Sequence, residues 1–138
     1  MKVLIVDDIP MMLRSLDIMM SRNGFDTQTA SNGEEALHCL IADPTIGIVV
    51  TDLVMHPMNG VELYRQAQIV ERLNDEGPVD CPPFVFITAC VKSGARDVWE
   101  SELRFAERNF VAVVHKPVSE HELIPILRSI RQPDLATS

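Results

Sequence analysis

No stretch of this sequence is apolar for the roughly 18 residues that a membrane-spanning helix needs, so a membrane-spanning chain is not expected. The N-terminus does not resemble a secretory leader, because Met1 and Lys2 lead into only four apolar residues, Val3 to Val6, before Asp7 and Asp8. Cytosol is the expected compartment. Cysteine is scarce: Cys39, Cys81 and Cys90 are far apart and make no CxxC pair, which argues against a zinc site or a disulfide framework and for free thiols. Basic residues are outnumbered, with 12 Lys and Arg against 20 Asp and Glu and a formal net charge of -8. Nucleic-acid binding needs clustered positive charge and is not expected of such a chain. What remains is 138 residues, 46% hydrophobic and 23% charged, the size and balance of one soluble globular domain. The expected division is a domain over 1–131 and a short tail over 132–138, with no separate output domain in these residues, so the domain is expected either to work alone or to be one portion of a longer chain.

Short apolar runs rich in β-branched residues recur along the chain at Val3–Val6, Ile46–Val50, Phe84–Ile87 and Phe110–Val114. Being apolar throughout, they suit parallel strands covered on both faces. Phe25–Ala30 alternates apolar and polar residues and reads as an edge strand. Between the runs lie helical patterns. Pro10–Arg22 carries Leu13, Leu16 and Met20 on one face, opens with a proline acceptable in a first turn, and stops at Asn23-Gly24. Asn32 and the following acids cap a second helix that ends near Asp43-Pro44. A third is expected over Val61–Leu73, a fourth over Ala95–Arg108, and a last one from the capping pattern Ser119…Glu122 to Arg131, with Pro125 distorting it or shifting its start. Asn74–Pro83 reads as an exposed connection. Met11, Met12, Met19 and Met20 read as core filling, and Trp99 and Phe105 as either core or partner surface. The alternation predicts an α/β fold: a doubly wound, five-stranded parallel sheet with five helices, flavodoxin-like, whose ligands bind at the carboxyl ends of the strands.

The polar residues at those ends are Asp7 and Asp8 after the first strand, Asp52 after the third, Thr88 after the fourth, and Lys116 after the fifth. Taken singly, each has an ordinary reading: acids cap loops, lysines sit on surfaces, threonines fill strands. Together they imply a crevice in which carboxylates repel one another unless a cation offsets the charge. An all-oxygen donor set suits Mg²⁺ better than zinc, and the four histidines are too scattered to offer another site. A carboxylate beside such a cation can attack phosphorus, with Lys116 and the Thr88 hydroxyl stabilising phosphoryl oxygens and small Ala89 leaving an approach path.

Asp7-Asp8, the stretch Asp52-Leu53-Val54-Met55-His56-Pro57-Met58-Asn59-Gly60, Ile87-Thr88-Ala89 and His115-Lys116-Pro117 together resemble the response-regulator receiver family over nearly the whole chain. The resemblance implies that Asp52 is phosphorylated, that Asp8, Asp52 and the Val54 carbonyl ligate Mg²⁺ directly, and that Asp7 acts mainly through water. It implies that Lys116 and Thr88 contact the phosphoryl group and that the Lys116-Pro117 bond is cis. The donor would be a histidine kinase or a His-containing phosphotransfer protein, with no membrane or direct nucleic-acid partner, and the only catalysis would be of the protein's own modification.

Three departures mark this sequence. His56 stands where the family usually has proline, which appears at position 57. Val113 stands where most receivers carry an aromatic switch residue, so transmission through backbone and loop shifts around Thr88 and the fourth helix is expected instead. The segment from Thr88 to Lys116 is longer than the family norm by about two helical turns. Val54 and Cys90, each two residues beyond Asp52 and Thr88, are expected to tune hydrolysis. Two rival readings are a receiver-like interaction module that does not use phosphate, and an aspartyl-phosphate phosphohydrolase, although the latter normally has a second acid where Val54 stands.

Overall fold

The computed structural model describes residues 2–89 and 110–131. The helix expected over 95–108, with Trp99 and Phe105, lies outside the described residues, as do Cys90 and the tail. In chain order the elements are β1 (Lys2–Val6), α1 (Pro10–Arg22), β2 (Asp26–Ala30), α2 (Gly33–Ala42), β3 (Ile46–Asp52), α3 (Gly60–Ile69), β4 (Leu73–Asn74), β5 (Gly77–Pro78), β6 (Phe84–Thr88), β7 (Phe110–His115) and α4 (Glu120–Arg131). Five strands form one parallel sheet in the order β2-β1-β3-β6-β7, while β4 and β5 make a separate antiparallel ladder. The alternating strand is indeed at an edge. No helix among the described residues is long and apolar enough to cross a membrane.

Period-two alternation along the strands feeds two cores. On one face Leu4, Val6, Val49, Phe84 and Phe86 meet Ala36 and Leu40 of α2 and Leu63, Tyr64 and Ala67 of α3. On the other Val3, Ile5, Val50, Val85, Ile87 and Val114 meet Leu16 and Met20 of α1 and Leu123, Ile124 and Leu127 of α4. The sheet is therefore covered on both sides, which is why its central strands carry no polar alternation. Tyr64 stands edge-on to Phe84 and Phe86, with ring centroids 5.3 and 5.8 Å apart.

Local chemistry sets the helix starts. Asn32 accepts a hydrogen bond from the Glu35 N–H at 2.8 Å, and Asn59 from the Glu62 N–H at 2.8 Å, with Glu62 returning a bond to the Asn59 N–H. At α4, Ser119 Oγ accepts from the His121 N–H, and the helix runs through Pro125 without shifting its start. The methionine stripe is only partly core: Met20 is fully buried, whereas Met11 is 83% exposed.

The third helix ends at Ile69, short of the expected Leu73. The cause is tertiary. Arg72 is buried and its guanidinium donates to the carbonyls of Leu40 (2.8 Å), Asp80 (2.8 Å), Asp43 (3.2 Å) and Ile46 (2.9 Å). Val79 donates to the Arg72 carbonyl at 2.7 Å, closing the β4–β5 ladder, whose turn uses Gly77 at φ +124°. The connection is exposed as expected at Asn74, Asp75, Glu76, Pro78 and Asp80, and Arg72 ties its Asp80 carbonyl to that of Ile46 at the start of β3. Burial beside it pushes the Cys81 thiol up to about 11.

Candidate acidic pocket at the carboxyl edge of the sheet

The parallel sheet brings the ends of β1, β3, β6 and β7 to one edge. Asp7 follows β1 directly, and its N–H extends the ladder to the Ala30 carbonyl at 3.2 Å. Its Oδ1 accepts from the Ile9 N–H at 2.9 Å, a turn that fixes the carboxylate and delivers Pro10 to the first position of α1. Asp8 is half-buried beside it. Asp52 is the last residue of β3, buried, with Oδ1 accepting from the Val54 N–H at 3.3 Å. Lys116 leaves β7 with its N–H on the Thr88 carbonyl at 2.8 Å and is followed by a cis bond to Pro117. Its Nζ lies 3.0 Å from Asp52 Oδ2 and 3.7 Å from Asp7 Oδ2.

Carboxylate oxygens of Asp7, Asp8 and Asp52 all lie within 4.8 Å of one another. One ammonium cannot balance three such charges. Burial raises the Asp7 carboxyl above its ordinary value, and the neighbouring Asp52 and Asp8 add to this; the Ile9 N–H and Lys116 oppose it. Asp7 Oδ2 is buried with no hydrogen-bond partner among the described residues. A buried, unsatisfied carboxylate oxygen facing two further carboxylates is what a hard cation would complete, and the all-oxygen donor set fits Mg²⁺.

The loop after Asp52 folds back over it. Gly60 donates to the Leu53 carbonyl at 2.8 Å, and a Cβ at Gly60 would lie 2.4 Å from the Asp52 carbonyl oxygen and 2.9 Å from Leu53 Cα. Only glycine allows that approach. Within this loop Val54 is 49% exposed and His56 is exposed, joined by a cis bond to Pro57.

Thr88 ends β6, buried, with Ala89 exposed after it. Val113 is partly buried, packed on the Tyr64 and Phe86 side of the sheet. Two residues gain importance that their sequence context hid. Gly60 is one, visible in sequence only as part of a motif. His115 is the other: it pairs with Thr88 in the ladder, and its buried Nδ1 has no hydrogen-bond partner among the described residues. Beside Lys116, a cleft of about 460 Å³ opens between α1 and the start of α4, lined by Met12, Ser15, Leu16, Met19, Pro117 and Val118.

Residues 3–128 match the family described as the response regulator receiver domain. Among curated proteins the chain is similar to the two-component response regulator PprB of Pseudomonas aeruginosa, 36% identical over 61 residues, which are 44% of this chain and 22% of PprB. It is also similar to the chemotaxis protein CheY1 of Helicobacter pylori, 34% identical over 76 residues, covering 54% of this chain and 61% of CheY1. The chain thus spans less than two thirds of these relatives. A crystal structure of a response regulator receiver protein from Pseudomonas putida superposes with a TM-score of 0.75 at 23% identity, covering 93% of this chain and 95% of that one, a likeness of fold.

Proposed function

This chain belongs to the response regulator receiver domain family, and from that premise we propose that Asp52 accepts a phosphoryl group in a Mg²⁺-dependent reaction that sets a signalling switch. One observation carries the proposal: three carboxylates within 4.8 Å of one another at the carboxyl edge of the sheet, with the Lys116 ammonium 3.0 Å from the middle strand's Asp52.

Asp7, Asp8 and Asp52 would hold the ion, together with the Val54 carbonyl. Bound Mg²⁺ offsets the repulsion between the attacking carboxylate and the phosphoryl oxygens. Asp52 attacks phosphorus through a carboxylate oxygen, forming an acyl phosphate as the bond from phosphorus to the donor's histidine nitrogen breaks. Lys116, already pointed at Asp52, places its positive charge on a phosphoryl oxygen, and the Thr88 hydroxyl donates to another. The backbone turn at Ile9 holds Asp7 still while this happens. Attack of water on phosphorus later releases phosphate and restores the Asp52 carboxylate, so the protein transforms nothing but itself.

The donor we propose is a histidine kinase or a His-containing phosphotransfer protein. Around the acids, Ile9 (49% exposed), Met11 (83%) and Val54 (49%) supply an apolar rim suited to docking a protein rather than a small phosphate ester. The output is a protein partner that prefers one of the two states. Incubation with Mg²⁺ and acetyl phosphate, followed by intact mass measurement, should add one phosphoryl group to the native chain and none to Asp52→Asn. An unmodified native chain that also ignores beryllium fluoride would replace this reading with that of an interaction module, for which the Val113 departure speaks. Sustained turnover of phosphate esters would replace it with a phosphohydrolase.

A further inference from the structure

Thr88 and His115 are register partners at the ends of the adjacent parallel strands β6 and β7. Such partners project to the same face of a sheet whose strands are about 4.8 Å apart. The pair two steps earlier, Phe86 and Val113, identifies that face, since both pack in the cluster containing Tyr64. Val113 offers no polar atom. His115 does, and its Nδ1 is enclosed with no hydrogen-bond partner among the described residues. Buried side-chain nitrogens in folded proteins are nearly always paired, so an unpaired one invites the question of which state pairs it.

We propose that His115 is a positioning residue for Thr88. When the pocket holds a phosphoryl group, Nδ1–H of His115 donates to Thr88 Oγ1 while that hydroxyl donates to a phosphoryl oxygen. A hydroxyl has one hydrogen to give and two lone pairs that accept, so both bonds form together, and each polarises the other. The arrangement selects the imidazole tautomer that carries its proton on Nδ1. No covalent bond to His115 forms or breaks. The proposal rests on the phospho-acceptor reading of Asp52.

The test is a titration of the ¹⁵N-labelled full chain with beryllium fluoride and Mg²⁺. The Leu53 amide reports pocket occupancy, and the His115 ring nitrogens report the inferred bond. The expected result is that the Leu53 amide and the His115 Nδ1 resonances move together. His115→Phe, which keeps a ring but no nitrogen, should weaken beryllium fluoride binding roughly tenfold, the weight of one hydrogen bond to a buried group. His115→Asn, whose amide nitrogen can stand in for Nδ1, should recover most of that loss, which a purely steric role would not produce. A Leu53 response without any change at the His115 ring, or equal loss in Phe and Asn variants, overturns the proposal and leaves the acceptor reading intact. Silence at Leu53 overturns both.

Discussion

Replacing Asp7 with Asn should make the metal-free protein more stable, an unusual outcome for a buried site residue. Lys116 attracts Asp7 across 3.7 Å, while Asp8 and Asp52 repel it across at most 4.8 Å. At an effective dielectric of about 20, the attraction is roughly 4.5 kcal/mol and each repulsion at least roughly 3.5 kcal/mol, so two repulsions outweigh one attraction before burial adds its own penalty. Asn keeps an oxygen for the Ile9 N–H, 2.9 Å away in the native chain, and turns Oδ2, which accepts no hydrogen bond among the described residues, into a donor facing two carboxylates. Screening and relaxation shrink the gross figures to a net gain of about 1 to 3 kcal/mol, the usual cost of one unsatisfied buried polar group. At about 3 °C per kcal/mol for a chain of this length, Tm should rise by roughly 3 to 9 °C in chelator at pH 7. The folded carboxyl of Asp7 is raised above 3.8, so the native protein binds more protons than the unfolded chain and loses stability as pH climbs from 3.8 through the folded value. The advantage of Asp7→Asn should therefore be largest above the folded value and fade away as pH falls below 3.8. Adding Mg²⁺ at a hundredfold excess over its Kd should stabilise the native chain by about 2.7 kcal/mol and the variant by far less. Calorimetric melts across pH, with chelator or Mg²⁺, give all these quantities. A variant that melts below the native protein in chelator at pH 7 would refute the electrostatic reasoning.

Other substitutions probe other parts of the structure. Gly60→Ala drives a methyl against the Asp52 carbonyl oxygen, 2.4 Å from the ideal Cβ, and should cost about 1 to 3 kcal/mol in urea unfolding while slowing phosphorylation by acetyl phosphate. Arg72→Met abandons four carbonyls and should cost about 2 to 4 kcal/mol, yet leave the phosphorylation rate unchanged because it acts at the opposite end of the sheet. Arg72→Lys should recover little of that loss, since one ammonium cannot span the fork. The Lys2 ammonium, 2.6 Å from Asp43, and the bonds from Thr45 hold the Asp43 carboxyl at about 2, so its contribution is complete above pH 3.8 and disappears as pH falls through about 2. Asp43→Asn should flatten the acid limb of the stability curve there by no more than about 1 kcal/mol, because the pair is partly solvated.

The sheet was legible because four of its strands are apolar runs that suit burial between two helical layers, while the fifth alternates as an edge strand does. The same logic located the acids, since each apolar run ends in a residue that stands on one edge. What the sequence hid were features that depend on contacts distant along the chain. Helical periodicity carried on past Ile69, and nothing local announces that Arg72 reaches the carbonyls of Leu40 and Ile46 and so ends the helix early. Asn59 and Glu62 did carry a local capping signal, and it places the start of α3 one residue before the expected Val61. Met11 fits a helical stripe, but the stripe is wider than the face that the sheet covers. His115 looks like a strand-end polar residue in any linear reading; only the ladder to Thr88 gives its ring nitrogen a setting.

The four groups that Arg72 grips are all peptide oxygens, belonging to Leu40, Asp43, Ile46 and Asp80. Every amino acid carries that same oxygen. Evolution can therefore exchange the side chains at these four positions with little regard for the arginine, whereas the arginine has no substitute of equal reach and fork. Tolerance to change at this pole of the molecule should be sharply uneven, with one rigid position among four permissive ones.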